Sequence, residues 1–211
     1  MKQISRVQYI TTSAKNTEEA CKGGIDWVQL RLKNVRFDEY KAIALEVQAV
    51  CKQYNAKLII NDNVQVAIAI YADGVHLGNE DMSHSEARKL LGDDFIIGGS
   101  TNTLEDIVRL SQGPADYLGL GPFRFTSTKQ KLNPILGLVG YQRIFNQLKS
   151  ISFFVPPLIA IGGIEQSDIP NLLATGFYGV AASASISNNA EPALAAAGFM
   201  KLCNKEYTSV D

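Results

Sequence analysis

Eight short apolar runs, separated by stretches with helical periodicity, are the feature that most narrows the fold of this chain. They are VQYIT (7–11), WVQLR (27–31), KLIIN (57–61), GVHLG (74–78), FIIGG (95–99), DYLGL (116–120), PLIAI (157–161) and YGVAA (178–182). Between them apolar residues recur at three- and four-residue spacing. Over 38–54, for example, Tyr40, Ile43, Ala44, Val47, Val50 and Cys51 share one helical face. SHSEARKLL (83–91) and NTLEDI (102–107) open with capping residues followed by acids, as helix N-termini do. Strands alternating with helices imply a parallel sheet, because each crossover needs a helix-length connection. A doubly wound open sheet would carry a glycine-rich nucleotide fingerprint after its first strand, and TTSAKNTEEA (11–20) has no glycine. The expectation is an α/β fold, a single closed (β/α)8 TIM barrel forming one domain over 1–211. Only the final EYTSVD looks loose.

Twenty Lys and Arg against twenty-one Asp and Glu leave a formal charge of −1. That balance lacks the basic excess of a general nucleic-acid binder. MKQISRVQYITTS has neither the apolar stretch nor the cleavage site of a secretory leader, and no run reaches bilayer-spanning length. Cys21, Cys51 and Cys203 are odd in number, far apart and in no C-x-x-C pair, so they read as reduced thiols packed under helices. The expectation is a cytoplasmic protein with small-molecule partners, neither nucleic acid nor membrane, and compatible with homo-oligomerisation.

Barrel active sites sit at the carboxyl ends of the strands. There the chain gathers polar residues: Gln29, Arg31 and Lys33 after strand two, Asn61 and Asp62 after strand three, His76 and Asp81 around the end of strand four. Strand five ends at Ser100, strand six at a loop carrying Thr126, Ser127, Thr128 and Lys129, strand seven at Gly162-Gly163, and strand eight at Ser183. Ordinary structural roles compete for several of these. Asn61-Asp62 would serve as a helix cap, Asp81 as a solvated loop residue, Gly162-Gly163 as a positive-φ turn, and His76 as a hydrogen-bonded core histidine. Arg31 and Lys33 resist that reading, because cations at a barrel mouth need an anionic partner.

The set divides chemically. Asp62 and Asp81 are hard oxygen ligands suited to a Mg²⁺ that keeps waters and bridges phosphate oxygens. Arg31, Asn61, Ser100, Thr126, Thr128 and Lys129 are donors suited to phosphate oxygens. Backbone N–H groups at the seventh and eighth strand ends form a frequent phosphate site in such barrels. Two phosphate sites follow, one with metal and cations, one mostly of backbone. No Ser-His-Asp set or cysteine nucleophile is apparent, so a reaction needing only a stabilised leaving group fits.

Gln-x-Arg-x-Lys (29–33), INDN (60–63), ADGVHLGNED (72–81), GPFRFTSTK (121–129) and AIGGI (160–164) follow in order. Together they resemble the thiamine-phosphate synthase (thiamine-phosphate pyrophosphorylase) family of (β/α)8 barrels over nearly the whole chain. The resemblance implies a transferase joining 4-amino-5-hydroxymethyl-2-methylpyrimidine diphosphate to 4-methyl-5-(2-phosphoethyl)thiazole, releasing pyrophosphate and giving thiamine phosphate. It implies Asp62 and Asp81 as Mg²⁺ ligands, and Gln29, Arg31, Lys33, Asn61, Ser100 and Lys129 as pyrimidine-diphosphate contacts. It likewise implies Arg31, Ser100 and Lys129 as the catalytic set. Thr126 and Thr128 lie on the substrate-contacting loop, and Gly163 matches a thiazole-phosphate contact, with Ser183 and Ala184 beside it.

Three positions depart from the family pattern. Ala184 stands at the customary serine of strand eight, Arg124-Phe125 replaces the usual Phe-Pro, and Asn102 stands where histidine is common. The related thiazole tautomerases resemble this family in fold and use a histidine there, so Asn102 argues against that alternative. A non-catalytic paralogue that binds thiamine phosphate is the other. No general base is expected, since the attacking thiazole nitrogen has no proton to lose.

Overall fold

The computed structural model describes residues 2, 4–125 and 134–205. Eight parallel strands close into a barrel in chain order. They are β1 (Val7–Thr11), β2 (Trp27–Leu30), β3 (Lys57–Asn61), β4 (Gly74–Leu77), β5 (Ile96–Thr101), β6 (Tyr117–Leu120), β7 (Leu158–Ile161) and β8 (Gly179–Ala182). Closure is made by β8 against β1, with Val7 opposite Val180 and Tyr9 opposite Ala182. Each strand matches an apolar run of the sequence to within two residues at either end.

The helices are α1 (Ala14–Lys22), α2 (Phe37–Gln53), α3 (Val64–Ile70), α4 (His84–Leu91), α5 (Leu104–Ser111), α6 (Gly137–Leu148), α7 (Ile169–Thr175), α8 (Ala184–Ser187) and α9 (Pro192–Asn204). The capping signals act as expected. Ser83 and Glu86 close a capping box on α4, and Thr103 and Asp106 close one on α5. Helix α3 is capped by Asn63, whose side chain accepts from the Val66 N–H. The cap is therefore one residue beyond Asn61-Asp62, which leaves that pair available at the barrel mouth.

Strand residues pointing outward, such as Val28, Leu30, Leu58, Ile60, Val75, Leu77, Leu118 and Leu120, pack into one large core under the helices. The inward face begins with an apolar layer of Trp27, Ile59, Ile96, Tyr117 and Ile159. Above it the inward positions turn polar: Gln8, Gln29, Asn61 and His76 are all buried. A parallel strand with both faces covered is ordinarily apolar throughout. Here the interruption falls on one face of the barrel and toward one end. Cys21, Cys51 and Cys203 are buried free thiols on α1, α2 and α9, and burial pushes their pKa values up to about 11, about 12 and about 12. Among the described residues no helix is long and apolar enough to cross a membrane.

Candidate functional site

A cavity of about 740 Å³ opens at the carboxyl ends of the strands. Gln29, Arg31, Lys33, Asn61, Asp62, Asp81 and Ser100 line one side, and Gly162, Gly163, Ser183 and Ala184 line the other. Thr126, Thr128 and Lys129 lie outside the described residues. All the described candidates thus border one space. A smaller hollow of about 350 Å³ at the opposite end is bordered by Lys2, Lys57, Asp73 and Asp94.

Two tyrosines from the outer helices brace the rim. Tyr40 of α2 places its hydroxyl 2.8 Å from the Leu30 carbonyl and 3.0 Å from that of Asn61, tying the ends of β2 and β3. Tyr141 of α6 does the same for β6 and β7, at 2.7 Å from Leu120 O and 3.3 Å from Ile161 O. A buried hydroxyl left without a partner would be costly, so these bonds set where Gln29, Arg31 and Asn61 emerge.

Asp62 sits at the left-handed φ of 64°, a region disfavoured for residues with a Cβ. Its N–H donates to the His76 carbonyl at 2.8 Å. That conformation turns the carboxylate toward Asp81 and into an ion pair with the Lys33 ammonium. Asp81 is anchored from below by the Gly78 N–H at 2.6 Å. The two carboxyl groups interact directly. Burial pushes both pKa values upward, but Lys33 outweighs it at Asp62 and holds that group low. At Asp81 burial and the Asp62 charge together outweigh the Gly78 bond and push the group up. Like charges forced together favour a proton or a cation between them. Among the described residues no three His, Cys, Asp or Glu side chains group into a ready metal cage. A pair of carboxylates plus substrate oxygens and water is the donor set Mg²⁺ accepts, so the residues fit that ion.

Asn61 is 4% exposed, yet its side-chain nitrogen has no partner. A buried donor bordering a cavity without a bond is unusual, and a substrate oxygen would satisfy it. Opposite, Gly162 and Gly163 adopt φ values of 101° and 65°, confirming the expected turn. A Cβ on Gly162 would lie 2.7 Å from Pro122, so the loops after β6 and β7 touch there. Ser183 spends its hydroxyl on the Ile10 carbonyl at 2.8 Å, while the backbone of Ala184 begins the short helix α8 beside the glycine turn.

Two of the side chains that depart from the family pattern, Arg124 and Asn102, have structural roles. Arg124 donates two bonds of 2.6 Å to the Asp168 carboxylate and one of 2.6 Å to the Gly163 carbonyl. Its guanidinium also covers the Phe123 ring at 4.7 Å. The loop after β6 is thereby clamped to the one after β7. The Asn102 amide donates to Gly121 O at 2.9 Å and Pro134 O at 3.0 Å, joining the two ends of the β6–α6 connection.

His76 is a buried, hydrogen-bonded core histidine, as expected, but it bonds toward the cavity through Ser100. Sequence reasoning missed Gln8 and Tyr117, which complete that connection. The signal available was a glutamine at an inward position of a fully buried strand.

The family model for thiamine monophosphate synthase matches residues 4–186. The thiamine-phosphate synthase of Bacteroides thetaiotaomicron is 48% identical over 174 residues, 82% of this chain and 83% of that protein. That of Flavobacterium johnsoniae is 43% identical over 210 residues, 100% of this chain and 97% of its own. Among solved structures, thiamine phosphate pyrophosphorylase from Pyrococcus furiosus superposes with a TM-score of 0.81 at 29% identity, covering 94% of this chain and 95% of that one.

Proposed function

The chain belongs to the thiamine monophosphate synthase family, and on that premise we propose how its cavity joins a pyrimidine diphosphate to a thiazole phosphate. It is a transferase acting on small molecules. The observation that carries the reading is one cavity with cations and paired carboxylates on one wall and a glycine turn on the other. Each wall suits one of the two phosphorylated substrates.

Arg31, Lys33, Asn61 and Ser100 hold the diphosphate on the β2–β5 side, with Thr126, Thr128 and Lys129 completing the clamp from the loop after β6. Gln29 contacts the pyrimidine. Asp62 and Asp81 would hold a Mg²⁺, which when bound would supply positive charge to offset that of the diphosphate. Bond breaking leaves a cation-like CH₂ stabilised by the ring's 4-amino group, while negative charge grows on the departing pyrophosphate. Arg31 and Lys129 stabilise that charge, and such fixed donors act most where it develops. Gly163 and the backbone around Ser183 and Ala184 hold the thiazole phosphate, keeping its ring nitrogen aligned on the pyrimidine CH₂. The Arg124–Asp168 clamp keeps the Gly162-Gly163 turn in place for this. No side chain needs to remove a proton.

The chain works as a single barrel domain in the cytoplasm, with no nucleic-acid or membrane partner. A direct assay tests the reading: purified protein with both substrates and Mg²⁺ is expected to release pyrophosphate and thiamine phosphate in equal amounts. Asp62→Ala should lose turnover with an unchanged circular dichroism spectrum. Tight thiamine-phosphate binding by the parent with no turnover would instead identify a binding paralogue.

A further inference from the structure

We propose that His76 is a positioning residue, held as the Nε2–H tautomer so that Ser100 is left to donate its hydroxyl proton to the pyrimidine diphosphate. The proposal rests on the synthase reading of the cavity, and it goes beyond that reading in assigning a role to residues that lie under the substrate.

A continuous chain of hydrogen bonds crosses the barrel interior from one cavity residue to another. Gln29 Nε2 donates to Gln8 Oε1 at 2.9 Å. Gln8 Nε2 donates to Tyr117 Oη at 3.0 Å. His76 Nδ1 lies 3.0 Å from the same phenol oxygen, and His76 Nε2 lies 2.9 Å from Ser100 Oγ. Gln8, Gln29, His76 and Tyr117 are all buried.

The sense of the chain follows from counting protons. The Gln8 and Gln29 amides both act on the Tyr117 oxygen as donors, and among its described partners His76 Nδ1 is the one able to take the phenol proton. That nitrogen is then an acceptor, and a neutral imidazole carries its one proton on the other. Nε2–H donates to Ser100 Oγ, and the Ser100 proton points away from the ring toward the cavity. Run in reverse, the chain would spend the Ser100 proton on His76 and turn oxygen lone pairs toward an anionic substrate. Burial raises the Tyr117 pKa well above its ordinary value, so the phenol keeps its proton.

The barrel is cut to fit these rings. A Cβ on Gly98 would lie 2.2 Å from Tyr117 Cζ, and one on Gly119 would lie 3.4 Å from His76 Cε1. Trp27 meets the Tyr117 ring edge-on at 4.8 Å and 76°. The Tyr117 ring is wedged in place, and His76 is held by hydrogen bonds at both ring nitrogens, so the proton order is transmitted to Ser100 by geometry.

The chain has two histidines, His76 and His84, which makes the tautomer directly readable by long-range ¹H–¹⁵N correlation on the intact protein. His76→Gln, by losing one signal set, assigns the spectrum. Nδ1 should resonate as a bare nitrogen and Nε2 as a protonated one; the opposite pattern overturns the proposal. Kinetics give the second readout. Tyr117→Phe keeps the ring but releases the tautomer, and should lower kcat about tenfold, the worth of one hydrogen bond, with the thiazole-phosphate KM unchanged. His76→Leu should cost on the order of 10²-fold in kcat, and His76→Gln, which can still donate to Ser100, should recover most of it. In a Ser100→Ala background the His76→Leu effect should vanish, because residues acting through one another are not additive. Additive effects would overturn the proposal. A parent with the Nε2–H tautomer and no turnover would refute the synthase reading, with the spectrum still supporting the proton order.

Discussion

Replacing Asn102 by alanine should loosen the β6–α6 connection at both ends at once. Asn102 is 6% exposed, and its amide supplies one proton to Gly121 O and the other to Pro134 O. The Gly121 bond is buried, whereas the Pro134 bond is only partly so. Water can therefore replace the donor at Pro134, where the loss is about 1 kcal/mol, while a buried carbonyl stripped of its partner costs about 2 kcal/mol. The sum is about 3 kcal/mol, or a fall in Tm of about 6–12 °C for a chain of this size. Urea denaturation of parent and variant measures it. Asn102→Asp should be worse still at neutral pH, since a carboxylate would face two carbonyl oxygens and donate nothing. A variant within about 0.5 kcal/mol of the parent, the range of an ordinary surface change, would show that the other loop contacts suffice. Those contacts are real: Leu136 N donates to Pro122 O, and Gly137 N to Phe123 O. The expectation is that they keep the loop attached but not in register, so turnover should fall further than stability alone accounts for.

Lys129→Ala should cost on the order of 10²-fold or more in kcat, as for loss of one charge-stabilising donor, and activity within twofold of the parent would mark Lys129 as a surface lysine. Ala184→Ser should change the thiazole-phosphate KM and kcat by less than tenfold, because a new hydroxyl adds at most about 1 kcal/mol. A hundredfold gain would mean that the alanine had disabled the site. At Asp168 burial raises the pKa, but Arg124 and the Glu165 N–H outweigh it and hold the carboxyl below its ordinary 3.8. A depressed folded pKa gives stabilisation that is complete above the ordinary value and lost as pH falls through the folded one. The stability gap between the parent and Asp168→Asn should therefore be present at neutral pH and close below about pH 4, and a gap indifferent to pH would refute the pairing.

The sequence by itself determined the barrel and most of its rim. Alternating apolar runs and capped helices are local signals, and each strand candidate became a strand because a parallel strand covered on both faces must be apolar. The same rule made polar residues at strand ends conspicuous, so Gln29, Arg31, Asn61, Asp62, Asp81 and Ser100 were legible as a set. What stayed hidden depends on which residues from distant strands face one another. Tyr117 reads as part of an apolar run, and only closure of the barrel puts its hydroxyl between Gln8 of β1 and His76 of β4. Asn102 reads as a departure from a family pattern, and only the folded loop shows it joining Gly121 to Pro134. Arg124 likewise has no sequence neighbour to explain it, because Asp168 is 44 residues away. Hydrophobic periodicity is written along the chain, but the partners of a polar side chain are fixed by barrel closure and strand register, which bring them together across it.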